Sequence, residues 1–248
     1  MKKLIIPLMF SFLFIGQSFS QTVDEILSKY FETIGQEKLL KINSFTTKGK
    51  IIQGQMEIPF TSSHKRPMKF RSDATFQGMH IISAFDGNKG WTINPFAGGT
   101  DPIPLTAEQN DRMKLQADFD GMFYHYKDKG YKVKYLGTEN IDDIDAYVLE
   151  LTRPNGDVIK AYFDPESYVM LKTASKMKIQ GVDRESETIF SNYKYTDGIL
   201  HPFSIESKSN GQTVMQMTFE EFKYGVDLPD SLFEMPKVTA PMDSTKAK

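Results

Sequence analysis

The hydrophobic period of the chain changes once, near Phe45, and the change separates a helical start from a long run of strands. Before it, Val23, Ile26, Leu27, Tyr30, Phe31 and Ile34 recur at the spacing of one helix face, a continuous apolar stripe. Thr22 and Glu25 have capping-box spacing, which satisfies orphan N–H groups at a helix start, and Gly35 is placed as a stop. Leu39, Leu40 and Ile42 either add a turn or lead into the first strand. Beyond Phe45 the period is two. Met68, Phe70, Ser72, Ala74 and Phe76 alternate with Lys69, Arg71, Asp73, Thr75 and Gln77. Tyr131, Val133 and Tyr135 alternate with lysines; Tyr147, Leu149 and Leu151 share a face, as do Met215, Met217, Phe219 and Glu221. Such alternation predicts antiparallel strands with one dry and one wet face.

Turn pairs punctuate the alternation: Gln77-Gly78, Asp86-Gly87, Asn155-Gly156, Asp164-Pro165, Asp197-Gly198 and Asn210-Gly211. Asn-Gly and Asp-Gly suit the positive φ angles of hairpin turns. Roughly ten or eleven strands are expected from this punctuation. One interruption stands among them, a loop from Ala97 to Pro104 followed by a helical stretch from Thr106 to about Tyr126, with Met113, Leu115, Phe119, Met122 and Phe123 apolar. It divides an N-terminal group of strands from a C-terminal group of about seven. No internal repeat or linker splits residues 21–237, which are expected to form a single domain, and 238–248 reads as a flexible polar tail.

The first twenty residues have the form of a secretory signal: Lys2 and Lys3, an apolar run from Leu4 to Ile15, then Ser18-Phe19-Ser20, with cleavage before Gln21. The mature chain is therefore expected to be exported and soluble. It contains no cysteine, which excludes disulfides and a lipidated N-terminal cysteine, so the fold rests on its core. The formal charge is −2, and loss of Lys2 and Lys3 makes it −4, a balance that argues against nucleic acid as a partner. Thirteen methionines and nineteen phenylalanines stand out, as an adaptable binding surface or as a Phe- and Met-rich β-core.

Candidate chemistry is sparse. His64, His80, His125 and His201 form no metal-binding pair, and no Gly-x-Ser-x-Gly elbow or phosphate-cradling loop is present. Asp142, Asp143 and Asp145 lack the calcium-loop pattern and read as a solvated turn between strands. No metal, cofactor or catalytic group is expected, and the reading is non-enzymatic.

One stretch is distinctive. Lys65-Arg66-Pro67-Met68-Lys69-Phe70 reads as a strand opened by proline, and Asp86-Gly87-Asn88-Lys89-Gly90-Trp91-Thr92-Ile93-Asn94-Pro95-Phe96 as a turn and a short strand with the only tryptophan. Together they resemble the LolA/LolB superfamily of periplasmic lipoprotein-sorting proteins. Tyr193-Lys194-Tyr195-Thr196-Asp197-Gly198-Ile199-Leu200-His201-Pro202 resembles a hairpin of the same proteins, and Leu228 to Pro236 their terminal segment. With the amphipathic helix before the sheet and the helical insert after the Pro-Phe loop, the resemblance extends over nearly all of residues 22–237.

The resemblance implies a mainly β fold: a strongly curved antiparallel sheet forming a half-open barrel, covered by helices. It implies a soluble monomeric carrier in the periplasm of a Gram-negative envelope, which hides the acyl chains of lipoproteins in a hydrophobic cavity and moves them towards the outer membrane. Its partners would be acylated lipoproteins or other lipids, an inner-membrane donor complex and an outer-membrane acceptor. The alternative is an envelope lipid-binding or sensor module of the same fold without transport. The implied cavity and lid residues are Ile26, Tyr30, Phe31, Ile34, Arg66, Met68, Phe70, Phe85, Trp91, Phe96, Met215, Met217 and Phe219. Arg66 has two readings, an edge-strand arginine in water beside Pro67, or the family's latch that bonds backbone carbonyls of the helical lid. Trp91 and Phe96 likewise read as core residues or as one cavity wall.

Overall fold

The computed structural model describes residues 22–179 and 182–237, so the expected signal segment and the tail from 238 lie outside the described residues. Helix α1 (Val23–Ile34) begins with the Thr22–Glu25 capping box and ends at Gly35 in the left-handed region. A single turn, α2 (Gln36–Leu39), follows directly. Gly35 is required by the fold, because a Cβ there would lie 2.4 Å from the carbonyl oxygen of Gly198.

The first group of strands is β1 (Ser44–Gln53), β2 (Met56–Lys65), β3 (Lys69–Phe76), β4 (Met79–Phe85), β5 (Gly90–Asn94) and β6 (Gly99–Pro104). Helix α3 (Ala107–Ala117) follows. The second group is β7 (Lys132–Ile141), β8 (Ile144–Thr152), β9 (Val158–Phe163), β10 (Met170–Ile179), β11 (Val182–Thr196), β12 (Ile199–Ser209) and β13 (Gln212–Tyr224). All thirteen join one antiparallel sheet, in the order β6-β5-β4-β3-β2-β1-β13-β12-β11-β10-β9-β8-β7. The sheet is thus two meanders joined where β1 pairs with β13, and it does not close into a barrel.

Four expectations change. The described residues form thirteen strands against the expected ten or eleven, and one of the additions is β6, in the stretch Ala97–Pro104 expected as loop. Pro102 and Pro104 made that stretch look like loop, yet an edge strand tolerates residues without an N–H. Pro67 does not open a strand: it lies in the turn between β2 and β3, which starts at Lys69. The helix from Thr106 stops at Ala117 instead of continuing to Tyr126. Phe119 goes to a cluster with Leu39, Phe45 and Ile199, whereas Phe123 goes to one with Ile26, Leu27 and Phe163. Four residues apart on a helix they would share one face, so the chain unwinds to serve both clusters. Finally, Glu221 does not share a face with Phe219. The register against β1 shifts between Lys48 and Gly49, so Glu221 opposes Lys48 and Phe219 opposes Gly49. Glu221 pairs there with Lys48 and Lys223, and Phe222 takes the inner position.

Because β6 and β7 are consecutive in the chain yet lie at opposite edges, the segment between them must cross the open face of the sheet. Helix α3 covers the first group, where Met113 and Ala117 pack on Phe70 and Phe85. Helix α1 covers the second, where Ile26 and Leu27 meet Leu149, Leu151, Phe163 and Met170. The last described segment does not cross that face. It lies on the outer side, where Phe233 is fully buried and its carbonyl accepts a bond from Trp91 Nε1 at 2.9 Å.

Candidate functional site

The register lays out the covered face as cross-strand rows. The first runs Tyr224, Phe45, His64, Phe70, Phe85. His64 stacks on Phe45 at 4.3 Å, and Phe119 sits edge-on to Phe45 at 4.9 Å. A row of small polar side chains follows: Thr47 and Ser62 share a hydrogen bond of 2.7 Å, and Ser72 and Ser83 continue the row. Beyond these hydroxyls the face turns apolar again. Phe219, Gly49, Phe60, Ala74 and Ile81 form the third row, and Met217, Ile51 and Ile58 the fourth, with Ile205 beside Met217. Gly49 leaves room for the Phe60 ring, since a Cβ there would lie 2.9 Å from it.

Phe60 is buried, whereas Phe219, Met217, Met215, Ile51, Ile58, Ile205 and Ile81 are half-buried. An apolar trough therefore emerges from beneath the helices and continues to the strand ends. Each methylene placed in such a trough contributes about 0.8 kcal/mol.

At its covered end, Arg66 joins three pieces of chain. Its Nε donates to the Ile42 carbonyl at 2.8 Å and its Nη2 to the Leu39 carbonyl at 3.2 Å. Both terminal nitrogens meet the Asp120 carboxylate, at 2.7 and 2.6 Å. The guanidinium also lies over the Phe119 ring, 4.3 Å from its centre. Arg66 comes from the β2–β3 turn, Leu39 and Ile42 from the end of α2 and the link after it, and Asp120 from the segment that crosses the sheet. A planar fork with several fixed donors is suited to such a junction. A second tie holds the crossing segment, where Lys129 Nζ bonds Asp118 at 2.6 Å and the Gly121 carbonyl at 2.7 Å. Burial still raises the Asp118 carboxyl above its usual range, against the pull of Lys129.

The thirteen residues singled out from sequence separate into groups. Ile26, Tyr30 and Phe31 pack on the second meander, and Ile34 lines a cavity beside Tyr30. Met68, Phe70 and Phe85 lie under α3. Met215, Met217 and Phe219 lie on the open trough, and Arg66 at the junction. Trp91 is elsewhere: it opposes Ala84, on the face away from Phe85, where it is 2% exposed beneath the last segment. Phe96 is 49% exposed at the strand tips, against Phe76 at 5.5 Å. The trough residues missed from sequence, Ile51, Ile58, Phe60 and Ile205, carried the same alternation. Asp120 and Gln36 carried no signal, since each reads as an ordinary polar position on a helix.

The four histidines stay apart from any acid cluster. His64 and His201 lie among aromatic rings, His125 pairs with Asp128 at 2.7 Å on the surface, and His80 is exposed. Asp142 and Asp143 form a hairpin turn, both with positive φ. Among the described residues no group of three or more such side chains could hold a metal ion, and no helix is long and apolar enough to cross a membrane.

No family model matches the sequence, and no curated protein matches it. Solved structures do match the fold. A LolA superfamily protein from Nitrosomonas europaea is 18% identical, covers 87% of this chain and 98% of its own, and has a TM-score of 0.59. A DUF1329 family protein from Desulfovibrio piger is 15% identical over 84% of this chain and 97% of its own, also at 0.59. An outer membrane lipoprotein-sorting protein domain from Vibrio parahaemolyticus is 14% identical over 83% and 96%, at 0.56. The curved, unclosed antiparallel sheet of this chain is thus LolA-like.

Proposed function

We propose that this protein is a non-enzymatic periplasmic carrier whose inner trough takes up the acyl chains of lipoproteins and releases them towards the outer membrane. The observation that carries the reading is the junction at Arg66. One side chain ties α2 and the crossing segment to the sheet, at the covered end of an apolar trough whose other end is open. A carrier needs both properties, apolar surface for the cargo and a closed empty state that returns once the cargo has left. The LolA-like fold supports the same reading, and the signal-like N-terminal sequence supports export.

The junction sets the direction of the test. Bonds that exist only in the closed state reduce the fraction competent to load, and so weaken apparent affinity. Arg66→Leu should bind an N-acylated lipopeptide about tenfold or more tightly, a change of roughly 1.4 kcal/mol or more, and should hand it over more slowly to acceptor vesicles. Arg66→Lys should behave nearly like Arg66→Leu, because an ammonium cannot reproduce the two-pronged bond to Asp120. Binding is read by native mass spectrometry and transfer by fluorescence. A wild-type protein that retains no acyl ligand would refute the carrier. Binding without any transfer between membranes would favour a lipid sensor of the same fold.

A further inference from the structure

We infer that Gln36 reads the linkage of the acyl ligand, accepting an uncharged amide at the mouth of a cavity beneath the α1–α2 joint and disfavouring a carboxylate. The inference rests on the acyl-binding reading above. It begins from an unmet side chain. Gln36 opens α2 and is only 3% exposed, yet neither its Oε1 nor its Nε2 has a hydrogen-bond partner among the described residues. A buried carboxamide left in that state costs stability, and such groups are normally satisfied by protein, water or ligand.

Its position says what could satisfy it. Gln36 borders an inner cavity of about 240 Å³, whose walls include Tyr30, Leu39, Phe119, Met170, Phe190 and Tyr193. It also borders an outer cleft of about 820 Å³ beside Phe31, Lys38 and Tyr124. Gln36 therefore stands between an inner cavity with mostly apolar walls and a wider outer cleft. The inner space is smaller than the ~300–1,000 Å³ of sites that hold a whole ligand, so it suits the start of a chain and its linkage.

Four other polar side chains around the cavity already have partners. Tyr193 donates to the Met170 carbonyl at 2.5 Å, Asp120 meets Arg66, Asp118 meets Lys129, and His201 bonds Tyr224. Two carboxylates thus line the cavity, each with its cation engaged, and this disfavours an incoming carboxylate or phosphate. A carboxamide offers one donor edge and one acceptor, complementary to a group that carries both C=O and N–H. An amide-linked chain provides that pair next to apolar carbon, whereas a fatty-acid anion provides only acceptors and a charge.

The test uses the mature protein and two soluble probes of equal length, decanamide and decanoate, titrated by calorimetry at pH 7.5. The wild type should bind decanamide about tenfold more tightly, which corresponds to roughly 1.4 kcal/mol. Gln36→Leu, with Gln36→Met as a second variant, should lower that ratio at least fivefold while decanoate affinity stays within twofold. The 15N side-chain resonance of wild-type Gln36 should shift with decanamide and not with decanoate, which keeps the test decisive if a variant fails to fold. Equal binding of the two probes, or a ratio unchanged in the variants, overturns the assignment and leaves the carrier reading standing. A variant that melts at a higher temperature with its ratio unchanged identifies water as the sole occupant, and also overturns it. If the wild type binds neither probe, nor a lipopeptide, the carrier reading falls and the assignment with it.

Discussion

Arg66 and His64 show how much a single side chain can decide in this protein. Both belong to the short stretch Lys65–Phe70 and its approach, and both face groups that arrive from distant parts of the chain. For Arg66 the residue type indicated a latch or a solvated edge, while its partners Asp120, Leu39 and Ile42 are 54, 27 and 24 residues away. For His64 the sequence offered no role. In the fold its ring stacks on Phe45 and meets Phe70 edge-on, and burial, with His201 nearby, lowers it to about 3. Burial alone lowers His201 to about 4. An unfolded histidine takes up its proton near pH 6.5. Above that pH both states leave the rings neutral and stability is unaffected. Below it the unfolded chain binds more protons, so stability falls as pH drops from about 6.5 towards the folded values. His64 should account for about 1–2 kcal/mol of the loss between pH 7.5 and pH 5. Urea unfolding at the two pH values should therefore show a shallower acid loss in His64→Phe than in the wild type. Equal losses would mean that His64 is not held neutral.

At the level of elements, alternation and capping were the legible part. Helix α1 starts and stops at the residues its caps indicated, and the meander follows the Asn-Gly and Asp-Gly turns. Local pattern failed where tertiary contacts outweighed it. The bulge that turns Phe222 inward and Glu221 outward lies where Glu220 and Glu221, two charges in a row, break the alternation, and only the pairing with β1 fixes which side chain goes in. The same pairing makes Gly49 indispensable. A Cβ at this position would approach the Thr218 carbonyl oxygen to 2.2 Å, a backbone contact that cannot yield as a flexible side chain does. Gly49→Ala should destabilise by about 1–3 kcal/mol and lower Tm by roughly 2–12 °C, measured by calorimetry. An unchanged Tm would show that β1 and β13 can separate at no cost.

For the whole molecule, the strand order is the deciding fact. Two meanders meet at β1 and β13, so their free edges β6 and β7 end up farthest apart, and the chain that joins them becomes the cover of the trough. The outer face has its own fastening. Lys65 and Lys69 both bond Asp230, at 2.7 and 2.9 Å, and hold its carboxyl down to about 2. Arg71 donates to the Leu232 carbonyl at 2.9 Å, and Phe233 fills the space beside Trp91. Phe233→Ala should cost about 3–5 kcal/mol and move the fluorescence of the single tryptophan to longer wavelength. An acyl ligand in the inner trough should leave that emission in place, because Trp91 looks out from the opposite face. A ligand-induced shift with an intact outer segment would contradict this placement. The sequence by itself determined the elements with strong local signals, a capped helix and alternating strands with their turns, since period, caps and turn residues act within a few positions. It also carried the family resemblance. Tertiary structure alone decided which face each large side chain serves, that Trp91 lies outside the trough, and that Arg66 meets Asp120. Those outcomes depend on pairing register and strand order, which are settled by contacts between residues far apart in the chain.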